Sequence, residues 1–377
     1  MARGDRLRLG LLFGGRSGEH AVSILSARSV LAALDSSRYE VTAIAIDRRG
    51  RWYTGDDPWQ VLEALAAGSV EELRPVTVVP QPGHPANPLL DVAFPLLHGP
   101  LGEDGTIQSI FELAEIPYVG AGVAASAVGM DKALMKAAFR AAGLPIVPYR
   151  VVSRSQWGAD PEAVVRAVAE EPGFPVFVKP ANLGSSVGVG RAGDAGELRA
   201  AIQEALRYDR KALVEASAAP AREIECSVLG LDEPRVSVPG EVQPGREFYD
   251  YEAKYHDAGT RLLVPAPLEP EVERRVRELA ARAFAAIGCE GMARVDFFVR
   301  SGGEVLVNEI NTIPGFTAVS MYPRLWEASG LPYPQLLDRL VEIALAVHEV
   351  RLAIRAANAE YRLAAQGGGV RGPKSSG

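Results

Sequence analysis

Residues Val307 to Gly315 read VNEINTIPG, and they follow a second informative run, ARVDFFV, from Ala293 to Val299. VDFFV and EVLVNEI read as two adjacent strands joined by the tight turn Arg300-Ser301-Gly302-Gly303. Asp296 lies on the first strand, with Glu309 and Asn311 at the end of the second. Side chains two apart share one face of an extended strand, so Glu309 and Asn311 point together and Arg294 projects with Asp296. Two carboxylates and an amide converging from paired strands make a hard-cation site, suited to magnesium held between protein and phosphates. The competing possibility is a ladder of solvated edge charges. It is weakened because these acids interrupt strongly apolar runs, where a buried charge is costly unless paired or metal-bound.

Working outward, the chain divides by pattern. Its 377 residues exceed one ordinary core, and roughly two to three domains are expected. The first part alternates strand and helix: LRLGLLF, a helix from about Glu19 to Leu34, VTAIAID, and later DVAFPLL. That rhythm implies parallel strands with covering helices, an open α/β domain over residues 1–130. Gly14-Gly15-Arg16-Ser17-Gly18 sits at the first strand-to-helix junction, where such sheets place ligands, but it is not a dinucleotide fingerprint. Residues 47–88 read as an irregular, elaborated surface region. HGPLGEDG, His98 to Gly105, then opens the helix GTIQSIFELA.

Met130 to Pro145 predicts a helix with Asp131 as N-cap and Gly143 as stop. Beyond it, strands and helices alternate without the parallel rhythm, so residues 131–216 and 217–355 read as two α+β units. Residues 356–377 are expected to be a disordered tail. The fold class is therefore α/β plus α+β, with no internal repeat.

Composition narrows the function. A net charge of −7 and a charged fraction of 23% give no global basic field for nucleic acid or acidic membranes. The apolar run LGLLF after the basic start is five residues long and leads into Gly-Gly, so a buried first strand is expected rather than a signal peptide. No stretch approaches the ~18 apolar residues of a membrane span. Two cysteines, Cys226 and Cys289, suit a reducing, cytoplasmic setting and offer no metal spacing.

Other clusters point toward a nucleotide. Lys179 ends the strand FPVFVK, and Asn182 to Gly190, NLGSSVGVG, supplies many backbone N–H groups beside it, which suits a triphosphate. A mobile hairpin with an incidental lysine would look the same, and the distinction comes from Lys132 and the acids at the far end of the chain. Glu215 and Glu223 flank Ala216-Ser-Ala-Ala-Pro220 and could accept bonds from an adenine amino group or ribose hydroxyls; alone they would read as solvated acids. Glu247 to Thr260, EFYDYEAKYHDAGT, reads as a loop closing over a site or as a partner surface.

Taken in order, GGRSGEHAVS, HGPLGEDG, MDK, FVKPANLGSSVGV, VEA with REIEC, EFYDYEAKY, ARVDFFV and VNEINTIPGFT resemble the D-alanine–D-alanine ligase family, from about Leu7 to about Val350. The resemblance implies an N-terminal open α/β domain followed by a two-lobed ATP-grasp fold. It implies that Lys132 and Lys179 contact the α- and β-phosphates, that Ser186 lies in the closing loop, and that Lys254 reaches the γ-phosphate. Glu215 would meet the adenine, Ala216 the same base through its backbone, and Glu223 the ribose. Asp296, Glu309 and Asn311 would hold two Mg²⁺, for which Mn²⁺ can substitute. Glu19 would orient the first D-alanine, with Ser185 and Tyr255 in its hydrogen-bonded set and His98 nearby. Arg294 and the Gly315 N–H would face the reacting carboxyl oxygen, while Ser320 and Met321 would line the second D-alanine. Two positions depart from many relatives: Ala216 stands where lysine is frequent, and Met321 where leucine is common.

The implied activity is ATP-dependent joining of two D-alanines through an acyl phosphate, for peptidoglycan precursor synthesis in the cytoplasm by a homodimer. Alternatives are a D-alanine–D-lactate or D-serine ligase of the same family, against which Tyr255 argues, and a catalytically silent nucleotide-binding protein. The latter would have lost a metal ligand or phosphate lysine, and all are present.

Overall fold

The computed structural model describes residues 6–243, 259–317 and 319–367. The expected α/β unit is present at the N-terminus. Strands β1 (Leu7–Gly14), β2 (Tyr39–Ile46), β3 (Trp52–Thr54), β4 (Arg74–Pro75) and β5 (Val92–Pro95) form a sheet in the order β4-β3-β2-β1-β5. The central strand β1 runs parallel to β2 and β5. It is apolar almost throughout because helices cover both of its faces, which removes the in–out alternation of a half-exposed strand. Those helices are α1 (His20–Ala33), α2 (Pro58–Ala67) and α3 (Thr106–Ala114), with α4 (Val123–Met130) following.

Helix α2 corrects the reading of residues 47–88 as irregular surface. Asp57 caps it by accepting from the Trp59 N–H, Pro58 occupies the first turn, and Gly68 closes it in a left-handed conformation. Its Val61, Leu62 and Leu65 enter the main core. The start and stop signals were in the sequence, but the surrounding prolines and tryptophans obscured the short apolar stripe between them.

Helix α5 (Lys132–Ala141) leads into β6 (Tyr149–Ser153), α6 (Arg154–Ala159) and α7 (Pro161–Glu170). These are followed by β7 (Val176–Pro180), β8 (Gly190–Ala192), α8 (Ala195–Tyr208) and β9 (Lys211–Ala216). The four strands form an antiparallel sheet in the order β6-β9-β7-β8. Val165 and Val168 of α7 and Leu198 and Ile202 of α8 pack on Val176, Val178 and Val214.

The third sheet is antiparallel, in the order β13-β12-β10-β14-β15 with β11 on β10. Its strands are β10 (Ala221–Gly230), β11 (Arg235–Val236), β12 (Gly240–Gln243), β13 (Arg261–Leu263), β14 (Gly291–Arg300) and β15 (Val305–Asn311). Helix α9 (Pro270–Ala286) lays Val276, Leu279, Ala283 and Phe284 on this sheet. Met135 and Phe139 of α5 enter the same core, so α5 packs with the third sheet although it precedes the second in the chain.

The final helices, α10 (Met321–Ala328) and α11 (Tyr333–Gly367), close the fold against the N-terminal sheet. One continuous core joins Leu9, Leu11 and Phe94 of that sheet to Phe316, Tyr322, Trp326 and Leu340. Phe316 stacks edge-on against Phe94 at 5.7 Å and lies 5.4 Å from Tyr322. Burying such a ring contributes about 1.5–3 kcal/mol, enough to pin the loop that carries it. Helix α11 also corrects the expected tail: residues 356–367 are helical. Their alanine, arginine and leucine content favours helix, and Arg351 and Arg355 tie the preceding turns to Glu112.

Candidate active site

The expected hairpin of β14 and β15 is present, with an added feature. Asp296 stands opposite Glu309 and Arg294 opposite Asn311, and a bulge follows Asp296, where Phe297 pairs with Val307 and leaves Asn308 as the extra residue. A bulge bends its strand and re-aims side chains. Here Asn308 and Glu309 both line the cleft between the second and third sheets. Asn308 Oδ1 is buried there with no hydrogen-bond partner among the described residues.

Two cavities meet at this hairpin. The larger, about 530 Å³, lies between the sheets and is walled by Lys179 and Ser186 on one side and Glu223, Asp296 and Glu309 on the other. The smaller, about 220 Å³, lies toward the N-terminal domain, with Glu19, His98, Ser185, Arg294, Gly315 and Ser320 on its wall. Lys132, Ser185 and Glu309 belong to both.

Local structure explains how each side chain arrives. Glu19 is the N-cap residue of α1, held at the end of β1, and its Oε1 accepts from the Ser185 hydroxyl at 2.5 Å. Ser185 and Ser186 both have positive φ, +50° and +57°, a conformation costly for non-glycine residues and suited to aiming consecutive N–H groups into a cleft. Gly99 has φ +75°, and a Cβ there would stand 2.8 Å from Glu19 Oε2, so glycine leaves room for the carboxylate. Lys132, at the start of α5, donates to the Leu183 carbonyl at 2.7 Å and lies 3.8 Å from Glu309. It therefore braces the loop that carries Ser185. Asp131 caps α5 through the Ala133 and Leu134 N–H groups.

Electrostatics concentrate at two places. Arg294 is half-buried, 2.7 Å from Asp296 and 3.0 Å from Glu225. Burial opposes its charge, but Asp296 and then Glu225 outweigh that and hold its pKa well above the ordinary arginine value. Glu215 is fully inside the protein, with Oε2 2.7 Å from Lys179 Nζ and Oε1 2.7 Å from Lys136 Nζ. Burial works to raise its pKa, yet the two ammonium groups prevail and bring it down to about 2.

A third cluster ties the domains together. His98 Nδ1 is 3.0 Å from the Ile313 carbonyl, so that nitrogen donates, and Nε2 is 3.0 Å from the Ser26 hydroxyl. The Phe316 N–H donates to Ser26 Oγ at 3.4 Å. Buried Glu103 lies 3.8 Å from His98. Burial disfavours charge on His98, but Glu103 and then Glu19 reverse this and raise its pKa; burial likewise pushes the Glu103 carboxyl up.

The residues singled out from sequence mostly converge. Glu19, His98, Lys132, Lys179, Ser185, Ser186, Glu223, Arg294, Asp296, Glu309, Asn311, Gly315, Ser320 and Met321 all line the joined cavity. The Glu215 side chain does not reach its wall: both oxygens are engaged by lysines, which makes it a support for Lys179 rather than an open acceptor. Ala216 ends β9 just before the lining residues Ser217 to Ala219. Lys254 and Tyr255 lie outside the described residues, as does nearly all of the proposed closing loop.

Lys136, Glu225, Ser26 and Glu103 were missed. Glu225 follows Glu223 by two and Lys136 follows Lys132 by four, so face periodicity could have found both. Nothing in the sequence marks Ser26 as touching residue 316.

The donor set fits a hard divalent cation. Asp296, Glu309 and Asn311 offer oxygen only, and Asn311 Oδ1 is oriented by accepting from the Ile313 N–H at 3.0 Å. Among the described residues no group of three His, Cys, Asp or Glu encloses a metal by itself. Water or phosphate oxygens would complete the shell of such a cation.

Comparison with known proteins places this arrangement. The model of the D-ala D-ala ligase N-terminus matches residues 8–121, and that of the D-ala D-ala ligase C-terminus matches residues 138–342. A D-alanine–D-alanine ligase of Heliobacterium modesticaldum is 51% identical over 349 residues, covering 90% of this chain and 94% of the relative. One of Halothermothrix orenii is 46% identical, covering 90% and 99%. Among solved structures, the D-alanine-D-alanine ligase from Coxiella burnetii superposes with a TM-score of 0.84 at 39% identity, covering 95% of this chain and 100% of that one. The VanG D-Ala:D-Ser ligase from Enterococcus faecalis gives 0.82 at 34% identity, covering 90% and 100%.

Proposed function

The chain belongs to the D-alanine–D-alanine ligase family, and from that premise we infer its reaction. It is an ADP-forming ligase that joins two D-alanines with ATP, for peptidoglycan precursor synthesis. Its fold is the family's ATP-grasp architecture behind an open α/β domain. The observation that carries the reading is the meeting of a small polar cavity with a larger inter-sheet cavity at Lys132 and Glu309. A two-substrate phosphoryl and acyl transfer needs such a junction.

The chemistry sets the order. A carboxylate is a poor electrophile, so the first D-alanine's carboxylate attacks the γ-phosphorus, the bond to the bridging oxygen breaks and ADP leaves, giving a mixed anhydride; the second amine then attacks its carbonyl carbon, loses a proton and expels phosphate. Glu19, braced by Ser185, is suited to hold the first ammonium, with His98 beside it. Lys132 and Lys179 are suited to the phosphates and Glu223 to the ribose, while the Ser186 backbone N–H would add a donor. Arg294 and the Gly315 N–H would stabilise the tetrahedral oxyanion. Ser320, next to Met321, would hold the second carboxylate. Divalent ions serve the family; we assign two Mg²⁺ to Asp296, Glu309 and Asn311, where they would neutralise charge building on the transferring phosphate.

The closing role of residues 247–260, with Lys254 and Tyr255, rests on the sequence. So do the cytoplasmic location and the domain limits at 130, 216 and 355, while the homodimer rests on the family resemblance alone. Among the described residues no helix is long and apolar enough to cross a membrane.

The test is to incubate purified protein with ATP, Mg²⁺ and D-alanine, following phosphate and identifying products by mass. D-Alanyl-D-alanine stoichiometric with phosphate is expected, with little product from L-alanine and no ester from D-lactate. Phosphate release without dipeptide, or a D-alanine–D-serine product in preference, would overturn the assignment.

A further inference from the structure

Lys136 is a buried cation beneath the cleft that the reaction described above does not use. It lies one helical turn after Lys132 on α5, is 1% exposed, and is absent from the walls of both cavities. Its Nζ stands 2.7 Å from Glu215 Oε1, an ion pair held off the hydrogen-bond direction, and no other acceptor reaches it among the described residues. Glu215 Oε2 holds Lys179, which does line the nucleotide cleft. One buried carboxylate is thus shared by two ammonium groups, only one of which faces the cleft.

The arithmetic of charge gives this arrangement a purpose. A lone Lys179–Glu215 pair would be neutral and would present little field to a phosphate. With Lys136 on the other oxygen the triad carries one net positive charge, and the phosphate-facing member is Lys179. An isolated buried ammonium is expensive, so Lys136 is a poor choice as mere filling between Met135 and Phe139. Burial does depress its pKa, which Glu215 only partly offsets. We propose that Lys136 is a positioning residue for the nucleotide site: it occupies one oxygen of Glu215 so that Lys179 is oriented toward, and remains a net cation for, the nucleotide phosphates. This rests on the reading of the inter-sheet cleft as a nucleotide site.

The experiment compares ADP and adenosine binding by calorimetry in wild type, Lys136→Met and Lys136→Gln. Gln keeps a donor for Glu215 and so protects against a variant that fails to fold. ADP affinity should fall on the order of tenfold in both neutral variants, the size of one partly screened charge. Adenosine affinity, which involves no phosphate, should change less than about twofold. Lys136→Arg, which retains the charge, should recover most of the ADP affinity. Equal losses for ADP and adenosine would reduce Lys136 to packing, and unchanged ADP affinity would remove it from the site; either overturns the inference. Failure of the wild type to bind ADP at all would instead overturn the nucleotide reading beneath it.

Discussion

Replacing Ser26 with alanine tests whether the N-terminal domain sets the geometry of the loop at Gly315. Ser26 lies on α1, far in sequence from residue 316, and its side chain is completely buried. Its hydroxyl is 3.0 Å from His98 Nε2 and accepts from the Phe316 N–H at 3.4 Å. The alanine variant leaves both groups in a dry interior without that partner. A buried group stripped of its partner costs about 1–3 kcal/mol, and the longer Phe316 bond belongs at the low end, so about 2 kcal/mol in all is reasonable. His98 would keep its 3.0 Å bond to Ile313, and the Phe316 ring would stay packed on Phe94, so the fold should survive. The loss should therefore appear as a small shift of the backbone around Gly315, the proposed oxyanion donor. If it is felt mainly in the transition state, about 2 kcal/mol corresponds to roughly a 30-fold lower kcat. The assay is ADP release coupled to dipeptide formation, with KM for ATP measured in parallel and expected to stay within about twofold. A folded variant with kcat within about twofold of wild type would refute the coupling.

Three further outcomes are expected. Glu309→Gln should lower turnover by on the order of 100-fold or more at saturating Mg²⁺ while circular dichroism stays unchanged, because a proposed metal ligand beside the transferring phosphate would be lost; near-normal kcat would remove Glu309 from the proposed metal set. Glu215 has a folded pKa of about 2 against an ordinary 4.5, so the stability it lends is complete above about pH 4.5 and is lost as pH falls toward 2. That gap is worth about 3 kcal/mol, and a urea midpoint that stayed constant from about pH 5 to about pH 2.5 would contradict it. Gly102→Ala places a Cβ 2.0 Å from the Leu97 carbonyl, just before His98, and should destabilise the protein by about 2–3 kcal/mol or more; an unchanged denaturation midpoint would show that the loop can yield.

Most of the candidate site is legible along the chain because its key pairs are local. Glu309 with Asn311 and Arg294 with Asp296 are two apart on strands, and Asp131 announces α5 from its capping position; period and propensity act over such distances. The ordered motifs carry the rest, the family and its ATP-grasp architecture, because they run through nearly the whole chain. Sequence alone could not place Glu215. Its composition suited an adenine acceptor, but folding brings Lys136 from α5 and Lys179 from β7 onto its two oxygens, and a carboxylate so engaged becomes part of the scaffold. The same holds for Ser26 and Phe316, whose contact exists because the C-terminal loop packs into the core of the first sheet. The bulge at Asn308 depends on how two strands pair, and the helix at residues 58–67 on an apolar face that finds β2. Local chemistry determined which residues could act; which charge meets which partner was decided only when distant segments were buried together, where an unmatched charge is too costly to leave.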